Sequence, residues 1–170
     1  ISGNLFLGVV NAFSGATGEG KDQLKGATRS FPDIAKYYSA EGVQWCAVGD
    51  RNYGEGSSRE HAAMEPRFRG GVVILARSFA RIHETNLKKQ GVLPLTFDDP
   101  AVYDQIGEDD TLSFLGLADL APGQPVRAEI VKPDGSTVPF LANHTMNEEQ
   151  IEWFRAGGAL NIIRQKMEAR

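Results

Sequence analysis

The sequence predicts a mixed α/β domain, with a partly parallel central sheet and an added β layer. Three observations predict it. Between residues 43 and 95, short apolar runs alternate with helix-length segments, the order that gives parallel strands joined by helical crossovers. From residue 111 onward, strand-like runs follow one another instead, and Lys132-Pro133-Asp134-Gly135-Ser136 is a strong turn signal between two of them. The 170 residues suit one domain, taken as residues 1–170.

Each element has a local reason. Leu5-Phe6-Leu7-Gly8-Val9-Val10 is a continuous apolar run and reads as a buried strand. The Gly/Thr/Lys-rich stretch from Ser14 to Gly26 reads as a loop. Pro32 stands where a helix can begin and Gly42 where it stops; Ile34, Tyr37 and Tyr38 give that helix one apolar stripe. Val43 to Val48 is a short strand, and Gly49 to Gly56 is a turn carrying three glycines. A short helix is expected from Ser57, ending before Pro66 because the residue ahead of proline disfavours helix. Gly71-Val72-Val73-Ile74-Leu75-Ala76 is the clearest strand. A helix from about Phe79 to Gln90 follows, closed by Gly91, and Val92 to Leu95 resumes extended structure. Thr111 to Leu117, Val126 to Val131 and Thr137 to Leu141 read as strands, the last two forming a hairpin. Asn147 caps a last helix containing Ile151, Trp153 and Phe154, with Gln150 at the capping-box position.

Composition bounds the partners. Hydrophobic residues make up 41% and charged residues 24%, ordinary for a globular fold. No apolar run approaches the roughly 20 residues a membrane span needs. The chain begins at Ile1 rather than Met and reads as a processed or excised piece; no basic leader with an apolar core opens it. The 18 basic and 22 acidic residues leave a net charge of -4 and no broad basic footprint for nucleic acid. The single cysteine, Cys46, excludes an internal disulfide and a cluster held by this chain's own thiolates.

The segment with chemical content is Gly49-Asp50-Arg51-Asn52-Tyr53-Gly54-Glu55-Gly56-Ser57-Ser58-Arg59-Glu60-His61. It leaves a predicted strand and opens a predicted helix, where ligands bind in open α/β sheets. Ser57 with Glu60 three residues on is a capping box, most often only a helix cap. Free N–H groups of the first turn and the helix dipole attract carboxylates and phosphates there. Arg59 adds a fixed cation with a planar fork suited to a carboxylate. The same groups favour a negative oxygen, so Ser57 has the surroundings of an alkoxide base that removes a proton beside a carboxylate. Gly54-Glu55-Gly56 is no dinucleotide fingerprint, since Arg59 stands at the third glycine. The segment is neither a P-loop nor a Gly-x-Ser-x-Gly elbow.

Around it the simpler readings are structural. His61 and Glu55 are site neighbours or ordinary surface and hydrogen-bonding groups. Asp50 and Arg51 flank the turn and either stabilise it or pair with another domain. His83 and His144 have no ligand partners nearby in sequence, so no metal is assigned. Cys46 reads as a small buried hydrophobe, Lys88 and Lys89 as complements of a helix dipole, and Trp153 and Phe154 as packing.

The run Gly54 to His61 resembles the signature segment of the aconitase family. The resemblance continues through Arg77-Ser78-Phe79-Ala80-Arg81-Ile82-His83-Glu84-Thr85-Asn86-Leu87-Lys88-Lys89-Gln90-Gly91 and returns at Gln150-Ile151-Glu152-Trp153-Phe154-Arg155-Ala156-Gly157, covering nearly the whole chain. It implies the C-terminal swivel domain of a mitochondrial-type enzyme, a three-layer β/β/α fold. It implies citrate–isocitrate interconversion through cis-aconitate, with a [4Fe–4S] cluster held by other domains and none bound by this chain. Ser57 then matches the family's catalytic base, and Ser58 and Arg59 its substrate-carboxylate ligands. A further substrate-binding arginine of the family falls ahead of Ile1, so the domain alone is expected to be inactive. The implied partners are the cluster-bearing domains, with no membrane. The implied compartment is the mitochondrial matrix, with the bacterial cytoplasm as the alternative. Two other readings compete. The small subunit of isopropylmalate isomerase shares the Gly-Ser-Ser-Arg-Glu-His type of segment, but the His83–Gly91 and Trp153 regions favour aconitase. An RNA-binding relative is opposed by the acidic balance and the lack of a basic, aromatic-laced stripe.

Overall fold

A computed structural model describes residues 9–54, 66–67, 70–158 and 167–168 of the chain. Its elements, in order, are strands β1 (Glu19–Lys21) and β2 (Thr28–Ser30), helix α1 (Phe31–Ala40), and strands β3 (Trp45–Gly49) and β4 (Gly71–Ala76). Helix α2 (Arg81–Lys89), strand β5 (Leu93–Phe97), strands β6 (Thr111–Leu115), β7 (Val126–Val131) and β8 (Thr137–Asn143), and helix α3 (Glu148–Ala156) complete the series. Two 3₁₀ turns, Pro100–Gln105 and Leu117–Asp119, were not expected from the sequence.

The central sheet has six strands in the order β3-β4-β5-β8-β7-β6. The first three run parallel and the last three pair antiparallel, which is the partly parallel mixed sheet that the sequence order predicts. The hairpin between β7 and β8 turns where expected, with Lys132 N–H donating to Ser136 O at 2.8 Å. The second β element is a two-stranded antiparallel ribbon of β1 and β2.

That ribbon corrects the reading of 14–26 as plain loop. Its turn is held by Asp22, fully buried, whose carboxylate accepts from the N–H groups of Leu24 and Lys25 and from Arg29 at 3.0 Å. Burial alone would raise the Asp22 pKa. The Lys25 and Leu24 amides and the Arg29 guanidinium outweigh it and hold the carboxyl below its ordinary value. A run of small polar residues hides this because the stabilising contact is one side chain curling onto its own turn. The strand expected at 5–10 lies mostly outside the described residues; Val10 makes only an isolated bridge to Thr17. Most of the short helix expected from Ser57 also lies outside them, but Pro66 and Arg67 are helical, so the helical stretch there does not end before Pro66 as the proline rule predicts.

The N-termini of α1 and α3 follow the capping rules, whereas α2 begins at Ala80 with no side-chain cap. Ser30 caps α1 through Asp33 N–H, with Pro32 in the first turn. Asn147 and Gln150 form the reciprocal capping box of α3, and Gly157 ends that helix in the left-handed conformation. Both faces of β4 are covered. Val73 and Leu75 join the main core with Leu93, Leu95, Ile130, Phe140 and Ile151, and Ile74 packs on the other side with Leu87 and Val92. A strand buried on both faces reads as an unbroken apolar run, which is why Gly71 to Ala76 is the clearest strand in the sequence.

Candidate functional site

The parallel strands deliver their carboxyl ends to one level. Gly49 at the end of β3 lies opposite Ala76 at the end of β4, and Ala76 opposite Thr96 in β5. The chain segments that leave these ends therefore meet beside one another, as the sequence reading required of a site.

Asp50 to Gly54 forms the segment after β3. Asn52 takes a left-handed backbone (φ 54°), and its N–H donates to Ser78 Oγ at 2.8 Å. Tyr53 N–H donates to Ser78 O, and Ala80 N–H donates to Tyr53 O, both at 2.9 Å. Tyr53 thus pairs with Phe79 as one extra parallel step beyond the sheet. Its ring meets Phe79 edge-on at 5.8 Å and His83 at 5.5 Å, over the Ile74, Leu87 and Val92 cluster. Burial pushes the Tyr53 phenol well above its ordinary pKa, so it stays protonated at neutral pH. Gly54 follows with φ 88°. A Cβ at Gly54 would overlap Cβ, Cγ and Cδ2 of His83, so only glycine fits.

On the other side, Arg77 leaves the end of β4. Its guanidinium contacts both carboxylate oxygens of Asp104 at 3.1 Å and Asp50 at 3.4 Å, and lies 4.3 Å from the centre of the Tyr103 ring. Arg77 therefore ties together the segments after β3, β4 and β5. Asp50 finds a partner within the chain in Arg77. Arg51 is exposed, and its N–H donates to Asp50 Oδ1 at 2.9 Å. Sequence reading gave Arg77 no part in the site. The available signal was a cation directly after a fully apolar strand, where an open sheet places its ligand groups.

Ser57, Ser58 and Arg59, and with them Glu55, Glu60 and His61, lie outside the described residues. Gly54 is the last described residue before them. His144 has a structural place: its Nε2 lies 3.1 Å from Ala121 O, and its Nδ1 accepts from Met146 N–H. Among the described residues, no group of three or more His, Cys, Asp and Glu side chains is arranged to hold a metal ion, and no helix is long and apolar enough to cross a membrane.

His83 sits in the first turn of α2, only 3% exposed, and burial lowers its pKa below the ordinary 6.5. The unfolded chain takes up a proton at 6.5 that the folded chain resists. Stability is therefore full above that pH and declines as pH falls from 6.5 toward the folded value. Thermal unfolding of the chain from about pH 7.5 to 5 is expected to fall more steeply than that of His83→Phe. Equal slopes would show that His83 is not held neutral by its surroundings.

Comparison with known proteins adds the following. The family model for the aconitase C-terminal domain matches residues 3–100. The mitochondrial aconitate hydratase of Gracilaria gracilis is 56% identical over 164 residues, 96% of this chain and 21% of that protein. The probable mitochondrial aconitate hydratase of Caenorhabditis elegans is 56% identical over 165 residues, 97% of this chain and 21% of that protein. The chain thus spans about a fifth of the length of the curated relatives it matches. Among solved structures, 3-isopropylmalate dehydratase from Methanocaldococcus jannaschii superposes with a TM-score of 0.52 at 22% identity, covering 81% of this chain and 75% of that one. That likeness bears on the fold alone.

Proposed function

The chain belongs to the aconitase C-terminal domain family, whose model matches more than half of it, and on that premise we propose that it is the swivel domain of an aconitate hydratase. In this reading residues 1–170 form one domain of a larger hydro-lyase that interconverts citrate and isocitrate through cis-aconitate. The relatives are named as mitochondrial enzymes, which supports the mitochondrial matrix as the compartment we assign to the complete enzyme.

One observation carries the proposal. The Asp50–Gly54 segment that follows parallel strand β3 is tied to the segment after the neighbouring strand, and the Glu55-Gly56-Ser57-Ser58-Arg59-Glu60-His61 run comes directly after it in the sequence. There Ser57 acts as the base. It removes the proton from the carbon beside a carboxylate, and the electron pair left behind becomes the double bond of cis-aconitate as hydroxide departs from the adjacent carbon. Such a proton is weakly acidic. The base therefore needs an environment that tolerates a negative oxygen before the reaction and a carboxylate held still during it. Ser58 and Arg59 bind that carboxylate, Arg59 through its planar fork.

The iron–sulfur cluster of the family does not fit this chain. Cluster ligands are thiolates, and they come in sets. The one cysteine, Cys46, lies within β3, and burial pushes its thiol up to about 11. The cluster therefore belongs to the other domains, which are also the partners this face meets together with the tricarboxylate.

Titrating the chain with citrate, followed by amide NMR, tests the reading. The largest shifts are expected within Gly54–His61, and no turnover of cis-aconitate is expected from the chain by itself. Shifts centred on any other part of the molecule, or measurable turnover, would contradict it.

A further inference from the structure

Three observations converge on His83. Its imidazole is buried, yet among the described residues Nδ1 has no hydrogen-bond partner, and it has no access to solvent. An unpaired buried nitrogen is unfavourable relative to an apolar group of the same shape, so hydrogen bonding at Nδ1 does not explain how the ring is held. The ring is held by packing. Gly54 lies directly against it, close enough to exclude any Cβ, and the Tyr53 ring flanks it at 5.5 Å. Tyr53 is itself fixed by two backbone hydrogen bonds to the segment that leads into α2, the helix that carries His83. The imidazole is thus a flat plate on which the chain rests immediately before it enters the Glu55-Gly56-Ser57 run.

We infer that His83 is a positioning residue for the reaction, its ring setting the course of the chain at Gly54 and through it the placement of the Ser57 hydroxyl. The inference rests on the reading of Ser57 as the base. His83 touches no reacting atom. It acts through Gly54, three residues ahead of Ser57, and what it contributes is the shape of a planar ring. Small displacements of a base matter because proton transfer needs its donor and acceptor within hydrogen-bond reach. A shift of about 1 Å costs up to roughly a hundredfold in rate.

The test is made in the complete enzyme with its cluster in place, using citrate and cis-aconitate as substrates. His83→Ala removes the plate, His83→Gln keeps a polar group without the ring, and His83→Phe keeps a ring without nitrogens. Ala and Gln are expected to lower kcat about tenfold or more while KM changes by less than about threefold, because the carboxylate contacts stay in place. Phe is expected to restore kcat to within about threefold of wild type, an outcome that a loss of stability alone would not give. Rates are expressed per intact cluster, read from its visible absorbance, and Tm is measured alongside. A normal kcat per cluster for His83→Ala overturns the inference even if that variant melts early. So does rescue by Gln but not by Phe, which would assign the effect to the nitrogen. Ser57→Ala is assayed in parallel: a normal rate there fails the base assignment and the inference with it, whereas an inactive Ser57→Ala beside a fully active His83→Ala fails the inference alone.

Discussion

Replacing Ser57 with alanine in the complete enzyme is expected to lower kcat for citrate dehydration on the order of 10³-fold, within the range a positioned base contributes. On the proposed reading, in which Ser58, Arg59 and groups of the other domains hold the carboxylates, KM for citrate is expected to stay within a few-fold. That split between the two constants is the informative part. A base acts only in the transition state, so losing it lowers kcat and kcat/KM together. Arg59→Lys should show the opposite pattern, with KM raised more than kcat is lowered, since a point charge replaces a two-pronged fork. Steady-state assays of both variants at matched cluster content measure this. A Ser57→Ala enzyme within about tenfold of wild type would mean that another group takes the proton.

Gly91→Ala is expected to be the most damaging substitution for stability at a single described glycine. Gly91 closes α2 with φ 78°, and Val92 N–H returns to Leu87 O at 3.0 Å. An alanine there would adopt a left-handed conformation at a cost of about 1–2 kcal/mol. Its Cβ would also meet Gly158 N at 2.6 Å and Gly157 O at 2.8 Å, where α3 ends. Both obstacles are backbone atoms, which cannot rotate aside as a side chain would, so overpacking adds about 1–3 kcal/mol. The sum, about 2–5 kcal/mol, corresponds to a Tm lower by roughly 10 °C for a chain of this size. Calorimetry or circular dichroism of the variant measures it. A Tm within about 2 °C of wild type would show that the two helix ends separate at little cost.

Much of the architecture was legible in the chain because its causes are local. Ser30, Pro32, Asn147 and Gln150 stop and start helices through hydrogen bonds a few residues long. The Pro133-Asp134-Gly135 turn set the β7–β8 hairpin for the same reason. The β1–β2 ribbon escaped notice because its polar residues carry no alternation, and one buried carboxylate does the organising. Of the site, the sequence offered Ser57, Ser58 and Arg59 as chemistry. It did not offer Arg77 as the tie among three segments, nor the ring of His83 under Gly54.

The sequence by itself determined the strands of the central sheet, the helices α1 to α3 and the family, since side-chain period, capping and motif are properties of neighbouring residues. Tertiary structure alone decided that β8 joins β5 through Phe97 and Ala142, that the end of α2 rests on the end of α3, and that His83 supports the turn after β3. Those contacts join residues tens of positions apart. Their energy comes from excluded volume and burial between surfaces that meet only once the chain has folded, so nothing in the local pattern announces them.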